Sequence, residues 1–182
     1  MPSPIGHALA GVGFVWSVQP RAERPLILTA ATLAALPDID ILFPGWHRAV
    51  THSVGFVILT FIVAAGVTGW VTGRIAWRIA LLCAGAYATH LLLDWLGADH
   101  FAPYGIRALW PFDDGWYISG IEVFRQTARR HLFSVDTVMT NVKAIAQETA
   151  ILGPIVFLLW LVRVKPAARL APELTGGHHP AE

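Results

Sequence analysis

Seven side chains of metal-ligand type, His7, Asp38, Asp40, His47, His52, His90 and Asp94, sit at the ends of strongly apolar segments in a chain that is only 14% charged. An ionisable group inside or beside a membrane span is costly, about 2.5 to 3.5 kcal/mol at a helix centre on insertion scales, so several together call for a compensating partner. A divalent cation is the partner that imidazole and carboxylate share. This donor set suits Zn²⁺ first, with Mn²⁺ and Fe²⁺ as the other candidates. Thiolate chemistry drops out, because the one cysteine, Cys83, falls in the middle of an apolar run.

Each motif has a chemical reading and a plainer one. In HLLLD, His90 and Asp94 lie one helical turn apart on one face and can reach one ion or two adjacent ions; the same spacing also serves a His to Asp hydrogen bond without metal. In LPDID, Pro37 helps end a helix, and Asp38 and Asp40 follow on a short extended or turning segment. Either carboxylate can bridge two cations, or both can be the solvated acids common in turns. HRAVTHS supplies His47 and His52 with Arg48 between them. Thr51 and Ser53 can cap the next helix, whose first N–H groups form a natural anion site. Arg48 is placed to hold a phosphate or carboxylate there, or to snorkel at the interface. His7, in IGHALAG, has small neighbours that permit close helix packing, although a lone histidine on an apolar helix is more often a hydrogen-bonded structural residue. Asp99, His100, Asn141 and Glu148 form a second tier, read as structural or solvated.

The elements that must position these groups are membrane helices. A hydrophobic content of 55% in 182 residues is wrong for a soluble globule, as is a mean hydropathy of +0.55. The net charge of +1, from scattered basic residues, sets nucleic acid aside as a partner. The start of the chain, MPSPIGHALAG, lacks a basic region before its apolar stretch and does not read as a cleaved signal peptide. Uncharged or nearly uncharged runs predict helices over residues 54–72, 77–96 and 149–164, the last extended upstream from Thr137 and kinked at Pro154. Shorter helices are expected over 5–18 and 26–36. Ser134 and Asp136 are placed to cap the last helix. The expected fold class is thus all-α, a polytopic membrane bundle of about five helices. It forms a single domain over residues 1–166, with residues 98–148 outside the membrane and a disordered tail, 167–182, that carries His178 and His179.

Positive residues orient this arrangement. Arg21 and Arg24, Arg74 and Arg78, and Arg163, Lys165 and Arg169 mark three cytoplasmic places by the positive-inside rule. Trp70 and Trp77 flank the Arg74 turn, while Trp46 and Trp95 lie at the opposite ends. Five crossings of the cytoplasmic (inner) membrane follow, with the C-terminus in the cytoplasm. On this alternation all seven ligand-type residues fall on the non-cytoplasmic side, which supports one shared site.

HALAG, LPDID, HRAVTHS and HLLLD, in that order with apolar helices between them and with YGIRALWPF after the last, resemble the YdjM-type family of membrane-bound metal-dependent hydrolases over residues 4–112. That family is similar in its helical His/Asp pattern to the zinc-dependent phospholipase C and single-strand nuclease superfamily, where a zinc cluster hydrolyses phosphate esters. The resemblance implies metal-binding roles for His7, Asp38, Asp40, His47, His52, His90 and Asp94.

The expected function is a membrane-embedded metal-dependent hydrolase acting at the outer leaflet on a phosphoester or ester of a lipid or lipid-linked anionic substrate. Three aspartates against two divalent ions leave one net positive charge, which suits an anionic substrate. Such ions would lower the pKa of water toward neutrality and stabilise charge on a phosphoryl or acyl oxygen. Asp40 or Asp94 would orient the water, and Arg48 would hold the anion. The alternative is a non-enzymatic metal-binding membrane protein, either a metal carrier or a metal-stabilised interaction scaffold. A carrier would be expected to place its ionisable residues near the midplane with access from both faces.

Overall fold

The computed structural model describes residues 1–43, 48–129, 131 and 133–168. Its architecture is the expected all-helical one, with five α-helices in chain order: α1 (Pro4–Val18), α2 (Arg24–Ala35), α3 (Val54–Thr72), α4 (Trp77–Leu96) and α5 (Val135–Leu159). α2 runs on into a 3-10 turn, Leu36–Leu42, and α5 into a π-helical stretch, Trp160–Val164. Among the described residues there is no strand, only two isolated bridges, Gly97 with Phe124 and Ile106 with Tyr117. Four helical segments are long and apolar enough to cross a membrane: Arg24–Leu42, Val54–Thr72, Trp77–Leu96 and Val135–Ala168. At 15 residues α1 is shorter. His47 and Trp46 lie outside the described residues, as does the tail 169–182.

Side chains explain where the helices begin. The Ser3 hydroxyl accepts the N–H of Gly6, and Pro4 opens α1 where a missing N–H costs nothing. Ser53 caps α3 through the N–H of Phe56, and Gly73, at φ 70°, ends it in the left-handed conformation that glycine tolerates. Ser134 caps α5 through the N–H of Thr137, with Asp136 in the first turn against the helix dipole. α5 therefore runs unbroken from Val135 past residue 148, the boundary expected for the extramembrane segment. Pro154 sits inside it and has no N–H to give to Ala150.

Burial separates lipid-facing helices from the one that organises the core. α3 has a single buried residue, Ala65, and exposes Ile58, Ile62, Val63 and Val67. A helix apolar all round with nothing covering it belongs in lipid. α4 instead buries a face of ten residues that includes His90 and Asp94. α1 packs on α2, α4 and α5, and α3 packs on α4. The α1 to α2 contact depends on Gly11, where a Cβ would stand 2.7 Å from both the carbonyl oxygen of Ala30 and the Cβ of Ala34.

The chain between α4 and α5 folds back over the bundle end that carries the ligand-type residues. Ser119, Val123 and Ala98 make backbone hydrogen bonds to Trp95, Leu96 and Phe124 at 2.8 to 2.9 Å. Side-chain amides of α5 grip the returning strap. Gln147 accepts the N–H of Arg125 at 2.9 Å, and Asn141 both accepts from the N–H of Ala128, at 2.7 Å, and donates to its carbonyl, at 3.0 Å.

Candidate metal centre

Helix geometry brings His90 and Asp94 onto one face of α4, with Nε2 of the histidine 3.2 Å from Oδ2 of the aspartate. The other ring nitrogen of His90, Nδ1, lies 2.8 Å from the carbonyl of Ala34 on α2 and must donate to it. This fixes the tautomer and leaves a lone pair on Nε2, pointing at a carboxylate that also has only lone pairs to offer.

The remaining members arrive from three other places. His7, one turn after the Ser3 cap, stacks its ring on His90 at 3.7 Å and sets Nε2 3.4 Å from Asp94 Oδ1 and 3.9 Å from Asp38 Oδ2. His52, immediately before the α3 cap, sets Nε2 3.3 Å from Asp94 Oδ2 and 3.9 Å from Asp38 Oδ1. The phenol of Tyr87 on α4 donates to the carbonyl of Thr51 at 2.6 Å and so holds the His52 segment against the cluster. Asp38 and Asp94 each present one oxygen to His7 and the other to His52.

A 3-10 helix has three residues per turn, so side chains two apart diverge by about 120° around its axis. The turn Leu36–Leu42 accordingly sends Asp38 into the cluster and Asp40 behind His52. There Asp40 Oδ2 lies 3.2 Å from His52 Nδ1, accepts the Thr51 hydroxyl at 2.6 Å and accepts the N–H of Arg48 at 3.0 Å. A carboxylate on Nδ1 turns the lone pair of Nε2 toward the cluster. Burial alone would push the His52 imidazole down, yet the surrounding Asp38, Asp40 and Asp94 hold it well above its ordinary range, so the site attracts positive charge.

His7, His52, His90 and Asp94 are fully buried. Both ring nitrogens of His7, Nε2 of His90 and both oxygens of Asp94 are sealed without a hydrogen-bond partner among the described residues. A buried polar group left so costs about 1 to 3 kcal/mol. A cation shared among those of these atoms that face inward would satisfy them. Two groups could hold a metal ion, His7 with Asp38 and His90, and His52 with His90 and Asp94, the donor atoms of each lying within 4.8 Å of one another. Since His90 has one lone pair to give, it serves one position at a time.

Asp38, with its side chain 11% exposed, is where the cluster meets a cavity. Its Oδ1 lies 3.5 Å from Nη2 of Arg129. A cavity of about 240 Å³ touches Asp38, Ser3, Arg129 and Asn141, and one of about 430 Å³ touches Arg48, Asp99, Arg129 and His131. Arg129 belongs to the basic EVFRQTARR stretch, but no spacing in the sequence ties it to Asp38. Arg48, at φ 63°, gives its guanidinium to the Asp99 carboxylate and, at 3.3 Å, to the carbonyl of Phe101. The anion site expected at the start of α3 is not formed. The N–H groups of Val54 and Gly55 go instead to the carbonyls of Ala108 and Trp110, at 2.8 and 2.9 Å.

Of the second-tier residues, Glu148 is fully buried and accepts the N–H of Ser3 at 2.8 Å together with the Ser3 hydroxyl. It thereby ties α5 to the first turn of α1. Asp99 binds Arg48 and the N–H of Gly105, Asn141 holds Ala128, and His100 is exposed beside Glu122.

Among curated proteins, and among solved structures, no match to the chain was found. The family model of the YdjM inner membrane protein matches residues 1–169, nearly the whole chain. With its apolar helices long enough to cross a membrane and its histidines and aspartates converging at one end of the bundle, the chain belongs to the YdjM inner membrane protein family and is a multi-pass membrane protein.

Proposed function

We propose that the protein is a membrane-embedded metal-dependent hydrolase that cleaves a phosphoester or ester of a lipid or lipid-linked anionic substrate at the outer leaflet. The observation that carries this reading is the buried convergence of His7, His52 and His90 on the split oxygens of Asp38 and Asp94, four of whose donor-type atoms, His7 Nε2, His90 Nε2 and both oxygens of Asp94, make no hydrogen bond among the described residues. His7, Asp38, His52, His90 and Asp94 would hold two divalent ions. Zn²⁺ suits this donor set best. Such ions would supply Lewis acidity, making a nucleophile of water near neutral pH and stabilising charge on the reacting oxygen.

The chain's own residues do the rest. Asp40 orients His52 by accepting the proton of its Nδ1, which turns Nε2 toward the cluster and raises its basicity as a ligand. Asp94, fully buried between the histidines, fixes both sides of the centre at one spacing. Asp38 and Arg129 stand where the cluster opens, so a substrate entering from the cavities meets a cationic group first. The ligands gather at the start of α1 and α3 and the end of α2 and α4, a one-ended placement that favours hydrolysis over carriage across the bilayer. Non-enzymatic metal binding remains the rival.

The test is metal content and turnover measured on one preparation. Wild-type protein purified in detergent is expected to carry stoichiometric metal and to hydrolyse a lipid phosphoester or ester, and Asp94→Ala and His52→Ala to lose both. Well-folded protein that binds no metal would end the hydrolase and carrier readings together. Bound metal with no activity on any lipid class would favour the carrier or scaffold.

A further inference from the structure

The strap that closes over the cluster puts an arginine, Arg129, beside its most exposed carboxylate, Asp38. Arg129 is a quarter exposed, lies 3.5 Å from the one partly exposed carboxylate of the cluster, and forms a wall common to both cavities. Its backbone is braced rather than hanging. Ala128, the residue before it, is clamped on both its N–H and its carbonyl by Asn141, and Thr127 gives both its N–H and its hydroxyl to the carbonyl of Met1 at 3.2 Å. An anchored backbone presents a guanidinium at lower entropic cost than a free loop does.

The larger cavity, about 430 Å³, holds Arg48 as well as Arg129. Its one carboxylate, Asp99, is already engaged by Arg48, by the N–H of Gly105 at 2.7 Å and by the amide of Gln126 at 3.3 Å. Arg48 and Asp99 thus balance each other, and the charge that the cavity has over is that of Arg129; its size is at the lower end of small-ligand sites. Guanidinium forks match phosphate oxygens in a bidentate way that an ammonium cannot.

We propose that this cavity is a phosphate-binding subsite in which Arg129 grips the phosphate group of a phosphate ester and delivers it to the Asp38 edge of the cluster. The proposal rests on the hydrolase reading and narrows its substrate from esters in general to phosphate esters. The shared chemistry is the phosphate group, whether it comes on a lipid headgroup or on a soluble ester.

The test is binding of inorganic phosphate to the full chain in detergent, followed by ³¹P NMR, with metal content measured on each sample. Arg129→Gln is expected to weaken phosphate binding at least tenfold at unchanged metal content. Arg129→Lys should recover only part of the loss, and Arg74→Gln, far from the cavity, should change nothing. Phosphatidylcholine nanodiscs with and without phosphatidic acid separate the sources: competition by phosphatidic acid identifies a lipid phosphate, and competition by glycerol phosphate alone identifies a soluble one. Phosphate binding unaffected by Arg129→Gln overturns the proposal, as does loss of metal and phosphate together in both Arg129 variants, which would make Arg129 a counter-charge to Asp38. Turnover and metal loss in Asp94→Ala test the hydrolase reading separately, so failure of the phosphate subsite and failure of the hydrolase reading are told apart.

Discussion

His90 and Asp94 face each other across 3.2 Å with no proton to share, because Nδ1 of His90 has already given its hydrogen to the carbonyl of Ala34. A cation between them removes the conflict. Replacing Asp94 by Asn keeps the volume and removes the charge, so Asp94→Asn is expected to release metal to a chelator at least tenfold more readily than wild type, read by elemental analysis after dialysis. Ligation also needs neutral imidazoles. Protons therefore compete with a metal for Nε2 of His52, whose carboxylate neighbours Asp38, Asp40 and Asp94 also favour its protonated form in the metal-free site. Release of metal to a chelator is expected to speed up as pH falls from 8, and release that is the same at every pH would contradict the ligand assignment.

Asp40 separates orientation from ligation. It contacts His52 on Nδ1, away from the cluster, and is held there by the Thr51 hydroxyl and the N–H of Arg48. Asp40→Asn should lower metal affinity by about 10- to 100-fold while leaving stoichiometry at saturation unchanged. A change in the number of ions bound would show Asp40 to be a ligand in its own right.

The link between Ser3 and Glu148 predicts a stability effect far from any metal ligand. Ser3→Ala removes the α1 cap and should cost about 0.5 to 2 kcal/mol in reversible unfolding in detergent. Glu148→Ala strands the buried N–H of Ser3, at about 1 to 3 kcal/mol. His7 lies one turn downstream, its N–H bonded to the Ser3 carbonyl at 3.1 Å, so both variants should also weaken metal retention. Loss of stability with metal affinity intact would mean that the cap does not position His7.

Gly11→Ala is a conservative change on paper. In place, the added Cβ meets the Ala30 carbonyl and the Ala34 Cβ, neither of which can swing aside, and overpacking of this kind costs about 1 to 3 kcal/mol. Ala34 is also the residue whose carbonyl fixes His90. The variant should thus lose metal affinity as well as stability, measured by chelator competition and by unfolding.

Orientation is open to direct measurement. Arg163, Lys165 and the Arg74 turn lie at the ends of α5 and α3 away from the cluster. A reporter fused after Lys165 is expected to report the cytoplasm, and one inserted at Gly115 the opposite side. The reverse result would put the metal centre on the cytoplasmic face.

Helices were the most legible part of the sequence. The bounds expected for α3 and α4 match the observed ones, because long apolar runs ended by Ser53, Gly73 and Gly97 leave little choice. The convergence of His7, Asp38, His52, His90 and Asp94 followed from counting which helix end each occupies. The different duties of Asp38 and Asp40 were not legible, since they depend on the phase of a 3-10 turn that the letters LPDID do not declare. Nor was the reach of Arg129 to Asp38, which is made by a strap from a different part of the chain. The anion site expected at α3 failed for a similar reason: carbonyls from residues 108 and 110 arrive to take the free N–H groups.

Ser3 and Glu148 are 145 residues apart in the chain. The helix that carries the first ligand is made early in synthesis, yet the carboxylate that secures its opening turn emerges only with the last helix. Until α5 has entered the membrane and docked, the buried start of α1 has no Glu148 to hold it. The last turn to be secured around the cluster is in this way the first that the ribosome makes, and a chain arrested before its final helix would reach the bilayer with the Ser3 end of α1 untied.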